Sequence, residues 1–156
     1  MEFKDLYTEE DKKILKDVED TLNPRIDRVQ EIINYARHIE IETIGIANCI
    51  SFNKEAEVLE DILTSEGFKV AKVNCKYGKV PFSELVPDYK GTSCNPAGQA
   101  KFLEENNTQL NIMMGLCLGH DMIFNAKSKA PVTPLVVKDR KLKHKTFESL
   151  RPVVES

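Results

Sequence analysis

The chain has 156 residues, 41% of them hydrophobic and 30% charged, which is enough apolar material for one core of ordinary domain size. Lys and Arg number 22 against 25 Asp and Glu, a net charge of −3, so no broad basic surface is implied and nucleic acid is not an expected partner. No apolar run approaches the roughly 20 residues that span a bilayer, and the charged N-terminus lacks a signal core, so a cytoplasmic protein without a membrane partner is expected.

Residues 1–22 read as a polar amphipathic helix, with Ile14, Leu15, Val18 and Leu22 at helical spacing. Thr8 and Asp11 form a capping pair at its start. Asn23-Pro24 breaks this helix and starts a second, with Asn as cap and Pro at the first position. Its apolar stripe is Ile26, Val29, Ile32, Ile33, Ala36 and Ile39, and His38 sits in the last turn, where a cation suits the helix dipole. The pattern then changes. Residues 43–49 are a short, almost unbroken apolar run, as suits a strand buried on both faces of a parallel sheet. A helix over about 53–66 buries Ala56, Leu59, Ile62 and Leu63, and Gly67 ends it. A second strand covers 68–75, so strand, helix and strand make one right-handed crossover. Residues 76–93 form a long connection, a length often put to use. Asn95-Pro96 starts a helix through about Glu105 that turns Ala97, Ala100 and Leu103 inward. A third strand spans 110–117, a short helix about 121–126, and a fourth strand 131–137, whose prolines suit a sheet edge. A basic tail follows.

The expected fold is α/β: an open, mainly parallel sheet of about four strands with flanking helices, Rossmann-like and three-layered, preceded by two N-terminal helices. It is one domain over 1–156, with an N-terminal helix to residue 23, a core over 24–147 and a loose tail over 148–156.

The four cysteines carry the chemistry. None forms the Cys-x-x-Cys pair of zinc ribbons or thioredoxin-like sites, so only the fold can bring them together. Cys49, Cys75 and Cys117 end the first three strands, and Cys94 immediately precedes the helix before strand three. The C-terminal ends of parallel strands share one edge, where open α/β folds place ligands. Each thiol alone reads as a small buried hydrophobe. All four in equivalent positions read as one metal or iron–sulfur site. In Gly115-Leu116-Cys117-Leu118-Gly119-His120-Asp121, His120 is the candidate catalytic proton donor or ligand, and Asp121 its orienting partner or the helix cap. Arg140 and His144 follow strand four at the same edge, where a solvated basic tail is the stronger expectation.

The strings GIANC, CNPAGQA, GLCLGHD and SKAPVTPLVVKDR resemble a family of small cysteine-rich proteins of anaerobic bacteria and archaea, labelled metal-binding proteins or domains of unknown function. The resemblance covers about residues 27–147. It implies a metal and marks Cys49, Cys75, Cys94, Asn95, Gln99, Cys117, His120, Asp121 and Arg140 as site residues, with Asn95 beside the cofactor. The chain departs from the pattern at three points. No Cys precedes Cys49, Asn74-Cys75 stands where relatives have paired cysteines, and Lys143-His144-Lys145 stands where they tend to have Gly-His-Asn.

The expected function is a cysteine-ligated iron–sulfur protein, with a 4Fe–4S cluster held by Cys49, Cys75, Cys94 and Cys117. Three ligands would suit sulfur removal or transfer on a small molecule, and four would suit redox work, so a small-molecule substrate or a redox partner follows. The alternatives are a structural zinc site and a metal-free small-molecule module with Cys117 or Cys94 as nucleophile. Whether the protein is an enzyme stays open at this point.

Overall fold

A computed structural model describes residues 1–151. It divides into two compact units, a helical one over residues 1–41 and an α/β one from residue 42 onward. No helix among the described residues is long and apolar enough to cross a membrane.

In the first unit, a 3₁₀ turn at Phe3–Leu6 precedes α1 (Glu9–Thr21), so the first helix starts later than its apolar spacing suggests. Thr8 fixes that start. Its hydroxyl accepts the Asp11 amide at 3.1 Å, and the Asp11 carboxylate accepts the Thr8 amide at 2.8 Å. The stripe on α1 is not a buried face, because Leu15, Val18 and Leu22 are exposed and Asp17 is its one buried residue. The second helix, α2 (Arg28–His38), also starts later than expected. Asn23 does not cap it; its side chain instead accepts the Arg25 amide at 3.1 Å in a local turn. Asp27 is the cap, accepting the Gln30 amide at 2.9 Å. Ile32, Ile33 and Ala36 are buried.

The second unit holds the expected sheet. Its strands are β1 (Thr43–Asn48), β2 (Lys69–Asn74), β3 (Leu110–Met114) and β4 (Val132–Val136), all parallel, in the order β2-β1-β3-β4. The first crossover runs outward through α3 (Asn53–Ser65), while the later ones run the other way through α5 (Pro96–Glu105) and α6 (His120–Lys127). Right-handed crossovers of opposite direction put their helices on opposite faces, which makes three layers. A single helical turn, α4 (Phe82–Leu85), lies in the connection over 76–93.

Alternation along the central strand sets the layers. Ala47, with Ala71 and Val73 of β2, packs under Ala100, Leu103 and Phe124 of α5 and α6. Ile44 and Ile46 point to the other face and are fully buried. Each large side chain buried this way contributes about 1.5–3 kcal/mol. Gly45 is small for a reason: a Cβ there would lie 2.1 Å from the Asn111 side-chain oxygen and 3.1 Å from Leu103. Ile62 is partly exposed and Ala97 half-buried, so α3 and α5 bury narrower faces than their spacing suggested.

β4 is an edge strand, as its prolines suggested. Pro134 lies opposite Met113, and the register slips between Met113 and Met114 beside it, because proline has no amide to give the ladder. β3 ends at Met114, three residues before Cys117. Gly115 adopts φ +65 and turns the chain away, so Cys117 sits in a turn beyond the strand rather than on its last residue. Beyond β4, Thr146–Ser149 forms a 3₁₀ turn where a loose tail was expected, and residues 152–156 of that tail lie outside the described residues.

Candidate functional site

Each cysteine is placed by a local feature of sequence. Cys49 follows the last residue of β1 and opens a 3₁₀ turn over Ile50–Phe52, and its amide donates to the Met114 carbonyl at 3.1 Å. Cys75 follows β2. Cys94 precedes α5, whose cap is Asn95, with Pro96 at the first helical position. Cys117 precedes α6, and its carbonyl accepts the His120 and Asp121 amides at 2.9 and 3.1 Å.

These four segments bring the cysteines near one another at the C-terminal edge of the sheet. Cys49 and Cys75 are buried with Phe52, and Cys94 and Cys117 pack against that cluster. All four are free thiols. Among the described residues, no three of their sulfurs lie within 4.8 Å of one another.

Asn95 clasps the site. Its side-chain oxygen accepts the Gly98 amide at 2.9 Å, its side-chain nitrogen donates to the Tyr77 carbonyl at 3.0 Å, and its amide donates to the Cys75 carbonyl at 2.7 Å. One residue thereby ties the chain after Cys75 to the helix after Cys94. Gln99 does similar work beneath them. It is fully buried, and its side-chain nitrogen donates to the Asn48 and Val73 carbonyls at 3.1 and 3.0 Å, which joins the ends of β1 and β2.

The thiols differ in electrostatic setting. Burial pushes Cys49 up, but the Ser51 amide and hydroxyl and the Lys138 ammonium outweigh it, so the thiol lies below its usual value. Lys138 Nζ stands 3.6 Å from Cys49 Sγ and 2.7 Å from the Ser51 hydroxyl. Cys75 is the opposite case. Burial pushes it up to about 11, and Cys94 and Cys49 add to the rise, while the Ile50 amide, donating to its sulfur at 3.3 Å, opposes it. Cys117 faces Arg140, whose Nη2 donates to its sulfur at 3.2 Å.

That last contact corrects the expectation for the basic tail. Lys138, Arg140 and His144 do not form a solvated run. The chain after β4 folds back on the cysteines, with the His144 ring 4.5 Å from the Phe52 ring and Lys138 5.1 Å over its face. Phe52 is thus the hub of the site, and a sequence reading that starts a helix at Asn53 passes over it. Its signal is an aromatic three residues after a strand-end cysteine. Gly115 exists to admit it: a Cβ there would fall 2.0 Å from the Phe52 ring.

His120 is half-buried at the start of α6, and its Nδ1 is buried without a hydrogen-bond partner among the described residues. The Asp121 carboxylate accepts the Gly119 and Met122 amides at 2.9 and 2.8 Å, so it is engaged by the helix start. A different group of ligand-type residues lies in the helical unit, where His38 Nε2 is 3.6 Å from Asp17 and 3.8 Å from Asp20. Lys13 and Lys16 already pair those two carboxylates.

Residues 1–135 match a protein family described as "Protein of unknown function (DUF1847)". The chain belongs to that family. The resemblance read from the cysteine motifs thus holds for an uncharacterised family with archaeal members. The uncharacterized protein MJ0455 of Methanocaldococcus jannaschii is 42% identical over 134 residues, which cover 83% of this chain and 69% of that protein. No solved structure matches the chain. The DUF1847 match includes all four cysteines with Asn95 and Gln99 and ends inside β4, before Lys138 and Arg140.

Proposed function

We propose that this protein holds an iron–sulfur cluster of the 4Fe–4S type on Cys49, Cys75, Cys94 and Cys117, and that its work is redox. The observation that carries the reading is the convergence of four thiols from four separate segments on one edge of the sheet. A donor set made only of thiols suits iron–sulfur clusters and zinc above harder metals. Spacing favours the cluster. Zinc–sulfur bonds near 2.3 Å put the sulfurs of a tetrahedral site about 3.8 Å apart. Structural zinc sites of that kind draw their ligands from close Cys-x-x-Cys pairs, and Cys49, Cys75, Cys94 and Cys117 hold no such pair. The hydrogen bond that the Ile50 amide donates to the Cys75 sulfur is of the kind that stabilises a ligating thiolate.

When bound, a cluster of this kind would supply one-electron transfer. The chain's own residues would do the rest. Cys49, Cys75, Cys94 and Cys117 give the ligands, and deprotonation of Cys75 costs more than that of Cys49, because burial pushes the Cys75 thiol up to about 11 while Ser51 and Lys138 hold Cys49 below its usual value. Asn95 and Gln99 hold the ligand segments together. His120 and Asp121 adjoin Cys117 and are assigned to proton transfer or substrate contact rather than ligation. The partner is a small redox partner or small-molecule substrate.

Anaerobic purification, with iron, acid-labile sulfide and zinc analysis and a visible spectrum, tests the reading. A brown protein with iron and sulfide in equal amounts is expected. A colourless protein with one zinc per chain would replace the cluster with zinc, and a protein that takes up neither metal would end the metal reading.

A further inference from the structure

We infer that Lys138 and Arg140 are the counter-charges of the thiolate centre, each a positioning residue bonded to the sulfur of a different ligand and raising the centre's reduction potential. The inference rests on the metal reading above and adds a role for residues beyond the family match.

The two cations are delivered by a loop with its own structure. The Asp139 amide donates to His144 Nδ1 at 3.0 Å, the His144 amide donates to the Asp139 carbonyl at 2.7 Å, and the Leu142 amide donates to the Asp139 carboxylate at 3.0 Å. Lys143 and His144 adopt φ of +51 and +66 to close this loop, and the His144 ring docks edge-on against Phe52. Residues 138 and 140 flank the residue that closes it. Lys138 therefore reaches Cys49, Ser51 and the face of Phe52 together, and Arg140 reaches Cys117. A solvated tail has no need of such a closure.

Four thiolates around a metal core carry net negative charge, which is costly to hold in a partly buried site without compensation. Two cations within hydrogen-bonding reach of two of the sulfurs offset that charge. They also favour the reduced, more negative state over the oxidised one, since hydrogen bonds and charge at cluster sulfurs set the potential. Among the described residues, the groups acting on the Cys75 sulfur are the Ile50 amide, Cys94 and Cys49, none of them a cation, so the compensation enters from the Cys49 and Cys117 side of the site.

The test loads the full chain anaerobically with iron and sulfide and titrates it with a chemical reductant. Lys138→Met and Arg140→Met are compared with wild type and with Lys141→Met, which removes an exposed lysine of the same loop. The midpoint potential should fall in Lys138→Met and Arg140→Met, fall further in the double variant, and stay unchanged in Lys141→Met. Potentials in the first two equal to that of Lys141→Met overturn the inference and leave the metal reading standing. A wild-type chain that loads no iron overturns both. Where a Met variant fails to hold the cluster, Lys138→Arg and Arg140→Lys decide: loading restored by the retained charge supports the inference, and loading still lost overturns it.

Discussion

The two sides of the cysteine cluster are built differently. Cys49 and Cys117 face cations carried by the loop after β4, and Lys138 helps bring Cys49 below its usual value. Cys94 packs against the cluster that holds Cys75, and burial, with Cys94 and Cys49 adding to it, pushes Cys75 up to about 11. Four thiols on one sheet edge are therefore not four equal thiols. Position along the strands brings them together, while the segments that cover them decide which gives up its proton readily. A metal would have to displace a firmly held proton on one side and would meet an already compensated sulfur on the other.

The largest expected effect breaks the cluster itself. Cys117→Ser and Cys75→Ser should each abolish iron binding, measured as iron and sulfide per chain after anaerobic loading. Full iron content in Cys117→Ser would remove that residue from the site and leave its contact with Arg140 as surface chemistry.

Next comes the packing that holds the two sides in register. Gly115→Ala places a Cβ against the Phe52 ring at a backbone φ of +65. Overpacking and the left-handed backbone together should cost about 2–4 kcal/mol in denaturant unfolding of the metal-free chain. Gly119→Ala is the matched control, since φ there is +91 with no neighbour within 4 Å, and it should cost only about 1 kcal/mol. Equal losses in the two variants would show that Phe52 does not depend on the Gly115 turn.

A smaller effect sharpens the electrostatic contrast. In the metal-free chain Cys75 is raised above its ordinary 9.0, so the unfolded chain releases this proton first as pH rises. Its contribution is fully present below about 9 and is lost as pH rises to about 11. Cys49 works in the other sense: its folded value is depressed, so its contribution is present at pH above the unfolded value and is lost as pH falls through the folded one. Unfolding free energy measured across the alkaline range should therefore fall, and Cys75→Ala should flatten that fall. A fall of the same slope in Cys75→Ala would assign it to other groups.

The smallest effect expected on the metal is that of His120→Ala, which should load iron to the wild-type level. Loss of iron there would make His120 a ligand and enlarge the Cys117 side of the site.

Much of the fold was legible because its signals are local. The apolar run at 43–49, the Gly67 stop and the Asn95-Pro96 start each act within a few residues of themselves, and β1, α3 and α5 follow them. The start of α2 is not legible in the sequence because Asn23 and Asp27 are both good caps, and only the local turn at Asn23 decides between them. The end of β3 is hidden in the sequence because Gly115 looks like one more small residue in an apolar run until Phe52 needs its space.

The sequence by itself determined that strand-end cysteines would share one edge, since parallel strands joined by crossovers align their ends whatever the spacing between them. Asn95 as a helix cap was legible for the same local reason. Only the tertiary structure decided what surrounds each thiol. Lys138, Arg140 and His144 read as a basic tail because charge runs in sequence usually face water. Their contacts with Cys49, Cys117 and Phe52 span 89, 23 and 92 positions of chain, the first two fixed by hydrogen bonds to sulfur.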